Sequence, residues 1–261
     1  MTEKISRRDP SLRPNPAKIR EMFGNITPRY DFFNHLFSLR RDIFWRRALA
    51  NRLLVLDQPG HFLDLACGSG DQLIEAHRRW PAAQLTGLDF SRPMLDLASA
   101  KLEKIPVNLT LGDVLEPPLD DNHFDSISIS FGLRNVADRL ELYRQTLRLL
   151  KPEGRFLILE LFFDSRGPLA PIINFHLTRL TPWLASRIFK APKEAYRYLG
   201  QSIMRFAHPA IIVDELEKVG FVGLGYRTYT FDLAMLVWGH KPASSLKGEA
   251  RPVALETPAL G

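Results

Sequence analysis

Asp64-Leu65-Ala66-Cys67-Gly68-Ser69-Gly70 follows a short apolar run, His61–Ala66, and precedes a helical pattern, Asp71–Arg79. The stretch reads as a turn from strand into helix. Gly68 and Gly70 lack a Cβ, so the backbone can turn tightly and approach a ligand closely. The free N–H groups at the start of the next helix point the same way. A dinucleotide site asks for G-x-G-x-x-G, but the third position here is Leu73. The phosphate loop of nucleotide hydrolases asks for Gly-Lys-Ser/Thr, which is absent. What remains is a loop for a ligand without a pyrophosphate, or a plain glycine turn.

The loop's neighbours narrow the choice. Asp64 at its start favours a cation or an ammonium group. S-adenosylmethionine has an amino group, a carboxylate and a sulfonium, and no phosphate. Asp89 ends the next strand, Gln84–Asp89, 19 residues after Gly70. A carboxylate there can accept hydrogen bonds from both ribose hydroxyls. Asp113, followed by Val114, ends the strand Val107–Leu111 and is placed to read an adenine amino group. Ser130 ends the strand Phe124–Ser130 beside the same ligand. Each aspartate alone also reads as a helix cap or turn residue. Together they line the carboxyl edge, where open α/β sheets bind ligands. The cofactor-binding set read from these positions is therefore Asp64, Gly68, Gly70, Asp89, Asp113 and Ser130.

Outward from this core, strands alternate with helices at Pro93–Lys104 and Asp138–Leu150, and a further strand runs Arg155–Leu161. Such alternation gives a parallel sheet covered on both faces. Lys18–Leu54 is helical before the sheet begins. Asp164–Ala207 is an aromatic-rich helical insertion. After it come a helix, His208–Val219, and two apolar runs, Val222–Thr230 and Leu233–His240, close enough to form a hairpin. The expected fold is α/β: a Rossmann-like, seven-stranded, mostly parallel sheet with an antiparallel C-terminal hairpin. Residues 17–241 form one domain, with an insertion at about 164–207. Residues 1–16 and 242–261 read as flexible tails.

Composition excludes several classes. Of 261 residues, 45% are hydrophobic and 25% charged, which excludes a disordered protein. The one cysteine, Cys67, cannot form an internal disulfide and reads as a small buried filler rather than a nucleophile. No metal site is expected, because no Cys pair or His-x-x-x-His spacing exists. No apolar stretch is long enough to span a membrane, and no secretory leader is recognisable. The expected location is cytoplasmic. Met1–Arg52 carries twelve Lys/Arg against five Asp/Glu, although the net charge of the whole chain is only +6. Positive charge this local fits an anionic neighbour or a solvated helix face.

A second constellation follows the fourth strand: Ile129-Ser130-Phe131-Gly132-Leu133-Arg134-Asn135-Val136. Near the N-terminus stands Met22-Phe23-Gly24-Asn25-Ile26-Thr27-Pro28-Arg29-Tyr30-Asp31, ahead of Asn34 and His35. The insertion adds Asn174-Phe175-His176 and Tyr196-Arg197-Tyr198. The chain resembles the ubiquinone/menaquinone biosynthesis C-methyltransferase family, within the class I S-adenosylmethionine-dependent methyltransferases. The matching stretches are MFGNITPRYDFFNHLFS, LDLACGSGD, GLDFSRPML, ISFGLRNVAD, LKPEGRFLILE and AYRYLGQSI, from about residue 20 to 240. The glycine loop identifies only the superfamily; SFGLRNV with the RYD-x-x-N segment is far more particular. The chain departs from the family at Cys67, at LELFFD after the fifth strand, and at TYTFDLAMLVWGHKP. The last two concern the substrate wall rather than the cofactor loop.

The resemblance implies C-methylation of a polyprenylated quinol by S-adenosylmethionine. It implies cofactor contacts at Ser69, Asp89, Asp113 with Val114, and Ser130. A ring carbon becomes nucleophilic when a quinol hydroxyl loses its proton, so the site needs a proton acceptor and a partner for the phenolate. Arg134 fits the second role, or makes a salt bridge to a nearby acid. Asn135 and Tyr30 can hold the quinol oxygens; Tyr30 also reads as a core tyrosine. His176 is the conventional base, or is packed between Phe175 and Leu177. Pro171–Lys190 mixes apolar and basic residues, as an interfacial helix or a buried lid would. Peripheral contact with an anionic membrane is expected, nucleic acid is not, and a homodimer is left open. The alternatives are a methyltransferase on another phenolic or lipid acceptor, and a non-catalytic subunit of a quinone-biosynthesis complex.

Overall fold

The computed structural model describes residues 38, 40–164, 170–180, 183 and 200–243. Strands β1 (His61–Leu65), β2 (Gln84–Asp89), β3 (Val107–Leu111) and β4 (Phe124–Ser130) are followed by β5 (Leu150–Leu161), β6 (Val222–Tyr229) and β7 (Ala234–His240). They form one sheet in the order β3-β2-β1-β4-β5-β7-β6. The first five strands pair in parallel; β7 runs antiparallel to β5 and β6. This is the expected sheet.

Helices cover both faces because alternate strand residues must be buried on both. On one face Trp45 and Leu49 of α1 (Arg41–Ala50), Leu73 of α2 (Asp71–Arg79) and Leu95 of α3 (Arg92–Lys101) pack on Phe62, Leu85, Leu157 and Leu236. On the other, Leu142 and Tyr143 of α4 (Arg139–Leu149) pack on Leu63, Ile127, Ile158 and Val237, with Ile212 and Leu216 of a later helix (Pro209–Val219). Asp138 caps α4 by accepting the Glu141 amide at 3.0 Å, and Gly220 ends the later helix in a left-handed conformation. In the insertion, α5 (Ala170–Phe175) runs into a π-helical turn, His176–Leu180. The Pro209–Val219 helix is α6.

The sequence reading placed the start of β5 at Arg155, but the strand begins at Leu150. The segment KPEG looks like a turn. Glu153 does adopt a left-handed backbone, at φ 65°. Yet the Glu153 amide bonds to Lys241 O at 3.0 Å and the Lys241 amide to Gly154 O at 2.9 Å. These bonds extend the β5–β7 pairing past the kink. The helical segment expected before Ser38, residues 1–16, residues 244–261 of the C-terminal tail and Tyr196–Tyr198 lie outside the described residues.

Candidate active site

The strand order reverses between β1 and β4, so a crevice opens at the carboxyl edge there. The loop after β1 enters it with three left-handed residues: Ala66 at φ 52°, Gly68 at 53° and Gly70 at 86°. The two glycines serve different ends. A Cβ on Gly70 would lie 2.7 Å from Leu102 Cδ1, so the packing of the start of α2 against the end of α3 favours its absence. A Cβ on Gly68 would meet nothing within 4 Å. Gly68 therefore faces open space at the expected ligand position.

Two buried aspartates frame the loop. Asp89 at the end of β2 accepts the Gly68 amide on Oδ2 at 2.9 Å and the Ser91 amide on Oδ1 at 2.8 Å. Burial pushes its pKa up, and these amide bonds oppose the rise. Asp64, in β1, accepts Ser128 Oγ–H at 2.7 Å. Burial pushes Asp64 up to about 7, against the Ser128 bond and the nearby charge of Arg46. Such a carboxyl is poised to become a carboxylate when a cation arrives. Asp113, by contrast, is exposed and accepts the Leu115 amide at 2.9 Å, as a turn residue does. Val114 is half-buried against the core. Ser69 is buried; Ser130 is half-buried and donates to Gln72 Oε1 at 3.3 Å. An open cradle over Gly68 and an acid poised for an ammonium group fit S-adenosylmethionine.

Beyond β4 the chain turns through Phe131, left-handed at φ 59°, into a 3-10 turn, Leu133–Asn135. Arg134 sits in that turn with its guanidinium almost wholly buried. Its Nη1 donates to Phe131 O at 2.7 Å and to Glu160 Oε1, and Glu160 is fully buried. Glu160 also accepts the Arg134 amide at 3.1 Å and the Leu161 amide at 2.8 Å. The salt-bridge reading of Arg134 is thus realised, yet its Nε remains buried without a hydrogen-bond partner. Asn135 lies beside it, half-buried. His176 is half-buried in the π-helical turn. Among the described residues, Arg134 turns to Phe131 and Glu160 and makes no hydrogen bond or ion pair with His176. Tyr30 lies outside the described residues. Cys67 is buried, and burial pushes its thiol pKa up, as befits a filler rather than a nucleophile.

The family model described as the ubiE/COQ5 methyltransferase family matches residues 12–241. This chain belongs to the ubiE/COQ5 methyltransferase family. A demethylmenaquinone methyltransferase of Thermus thermophilus is 34% identical over 223 residues, covering 85% of this chain and 100% of that protein. The ubiquinone/menaquinone biosynthesis C-methyltransferase UbiE of Geobacter sulfurreducens is 34% identical over 235 residues, covering 88% of this chain and 91% of its own length. Among solved structures, a Thermotoga maritima S-adenosylmethionine-dependent methyltransferase superposes with a TM-score of 0.61 at 16% identity, over 85% of this chain and 99% of that one. The [4+2]-cyclase SpnF superposes at 0.64 and 16%, over 88% of this chain and 97% of that one. At such identities these two show the fold alone, and their unlike chemistries show why fold does not name a reaction.

For a ubiE/COQ5 member the described site contains three residues that sequence reasoning passed over. Glu160 balances Arg134. Gln72 is 1% exposed; it accepts from Ser130 and donates to Arg46 O at 3.3 Å, tying β4, α2 and α1 together. Arg46 leans over the Phe131 ring, 4.9 Å from its centroid. The basic N-terminal cluster is also partly spent inside the fold. Arg47 bonds Glu75 at 3.2 Å, and Arg52 lies 3.9 Å over Trp238. No helix among the described residues is long and apolar enough to cross a membrane.

Proposed function

We propose that this chain transfers a methyl group from S-adenosylmethionine to a ring carbon of a polyprenylated quinol in menaquinone or ubiquinone biosynthesis. Demethylmenaquinol is the preferred acceptor. The observation that carries this reading is the match over the whole length of a demethylmenaquinone methyltransferase together with the open cradle over Gly68. When bound, the cofactor supplies a methyl on a sulfonium, an electrophile that needs no further activation.

The chain's own residues then hold, orient and deprotonate. Asp64 takes the cofactor's ammonium group. Asp89 keeps lone pairs for the ribose hydroxyls beyond its backbone amide bonds. Ser69, Asp113, Val114 and Ser130 complete that side. Arg134 steadies the phenolate through its guanidinium charge, while Glu160 fixes the guanidinium plane. Asn135 and Tyr30 hold the quinol oxygens, and His176 receives the hydroxyl proton. Alignment of carbon and methyl in such a site is worth roughly 7–11 kcal/mol at best. Expression of this chain in a bacterium lacking its quinol C-methylation step tests the reading: restored methylated quinone supports it, and continued accumulation of the demethyl quinone counts against it.

The isoprenoid tail of the acceptor stays in a bilayer, so the enzyme works at a membrane surface. Ile172 (66% exposed), Phe175 (60%) and Trp183 (56%) support this, since large exposed apolar side chains clustered in one segment mark a contact surface. Flotation with vesicles containing anionic lipid is the check; protein that stays at the bottom with every lipid composition rules the association out.

A further inference from the structure

The turn between β6 and β7 holds three consecutive left-handed residues without a glycine: Thr230 at φ 52°, Phe231 at 54° and Asp232 at 62°. Such a backbone is unfavourable for β-branched and bulky side chains. The turn is nonetheless firmly fastened. Thr230 Oγ1 accepts the Trp45 indole N–H at 3.1 Å, the Leu233 amide donates to Tyr229 O at 3.2 Å, and the Phe162 amide donates to Leu233 O at 3.1 Å. At the tip Phe231 is 74% exposed, more than any other large apolar side chain among the described residues. A strained turn that holds an aromatic ring out in water fits a contact made outside the chain.

The surroundings give the chemistry of that contact. Phe44, 55% exposed on α1, meets Tyr229 edge-on with 5.9 Å between ring centroids, so the aromatic surface continues from the turn onto the helix. Arg41 is exposed and precedes Phe44 by one helical turn on the same face. Arg227, exposed on β6, lies 5.5 Å over the Tyr229 ring. Asp232, the exposed acid of the turn, is outnumbered by these two arginines. Aromatic rings at a tip with arginines behind them match the acyl boundary and the anionic headgroups of a bilayer. The position in the fold agrees. Ala234, just after the turn, pairs with Leu161 at the carboxyl end of β5, and the insertion that carries Ile172 and Phe175 leaves from that same end. Trp45 joins the turn to the site: its ring lies 6.3 Å from that of Phe131, whose carbonyl accepts from Arg134.

We propose that the β6–β7 turn is a membrane anchor: Phe231 enters the interface of an anionic bilayer, with Phe44 and Tyr229 beside it and Arg41 and Arg227 at the headgroups. The proposal rests on the membrane reading given above and adds the face that makes the contact. Seated this way, the carboxyl edge of the sheet, and the site with it, faces the lipid that holds the acceptor's tail.

Co-sedimentation of the full chain with phosphatidylcholine vesicles, with and without phosphatidylglycerol, tests it. Asparagine takes the left-handed backbone more readily than phenylalanine, so Phe231→Asn should fold at least as stably as the wild type. The same variant should bind anionic vesicles about 10- to 100-fold more weakly, the contribution of one buried phenylalanine ring. Its affinity for S-adenosylmethionine should not change. Arg41→Gln with Arg227→Gln should bind anionic vesicles about 25-fold more weakly, and neutral vesicles as the wild type does. Undiminished vesicle binding by Phe231→Asn overturns the proposal. If that variant also turns from dimer to monomer in light scattering, a second copy is the occupant; if instead its KM rises for a long-tailed acceptor alone, the turn holds the acceptor's tail. Should Phe231→Asn not fold, the arginine pair decides, and undiminished binding there overturns the proposal. Loss of binding in Ile172→Ser with Phe175→Ser but not in Phe231→Asn overturns the anchor and keeps the membrane reading. A wild type that sediments with no vesicle sinks the membrane reading, and the anchor with it.

Discussion

The Gly68 amide donates to Asp89 Oδ2 at 2.9 Å, so the end of β2 holds the loop that leaves β1. Asp89 spends its other oxygen on the Ser91 amide. The residue that would meet the cofactor's ribose therefore also shapes the glycine turn. Asp89→Asn would set a new N–H against one of these amides. The expected result is a loss of about 1–3 kcal/mol of stability, the cost of leaving a buried polar group unpaired, together with loss of cofactor binding. Thermal melting and calorimetry check both; an Asp89→Asn protein that melts like the wild type and binds the cofactor would refute the shared role.

The two loop glycines should separate under alanine substitution. Gly68→Ala places its Cβ in open space, so the fold loses only the left-handed penalty of about 1–2 kcal/mol. The same Cβ fills the cradle, and cofactor affinity should fall steeply. Gly70→Ala drives its Cβ into Leu102 and should destabilise by about 2–4 kcal/mol, strain and overpacking together. A Gly68→Ala protein with unchanged affinity would place the ligand elsewhere.

Asp64 makes stability depend on pH. Its folded pKa of about 7 stands above the ordinary 3.8. The folded form holds its proton longer than the unfolded chain does. The stabilisation is therefore full below about pH 4 and is lost as pH rises through about 7. The total is on the order of 4 kcal/mol. Asp64→Asn should remove this slope and melt higher than the wild type at pH 8, while binding the cofactor more weakly. In the wild type, the cofactor's ammonium group should expel the Asp64 proton at pH 6. The heat of binding at pH 6 should then vary with the ionisation enthalpy of the buffer, and a heat independent of buffer would contradict the pairing.

Arg134 and Glu160 should behave as one unit. Arg134→Met leaves a fully buried carboxylate unpaired and should destabilise by about 3–5 kcal/mol. Arg134→Met with Glu160→Gln should recover much of that loss, because the neutral amide no longer strands a charge and still accepts from the backbone. Activity should not return. Denaturant titration with turnover measurements distinguishes this from a purely structural pair, for which the double variant would regain both.

The strands were legible because β1, β2, β3 and β4 each carry a compact run ended by turn residues; β2, β3 and β4 match their expected bounds. The glycine loop was legible because glycine takes a left-handed backbone without strain at both positions and, at Gly70, leaves room for Leu102. Three site residues were not. Gln72 looks like any polar position in an amphipathic helix until the fold buries it. Glu160 reads as the polar end of an apolar strand. Only the register that sets Ser130 beside Leu159 brings Glu160 under Arg134. Arg46 reads as one basic residue in a basic segment, and its burial depends on how α1 docks against α2. Long-range register is what a linear pattern does not carry.

The most direct test of the central claim is methyl transfer itself. The full chain, with radiolabelled S-adenosylmethionine under reducing conditions, would be offered short-tailed demethylmenaquinol and the corresponding demethyl benzoquinol side by side. Label on a ring carbon of the quinol, with demethylmenaquinol the faster acceptor, is the predicted result. Cofactor binding with no label entering either quinol would contradict it.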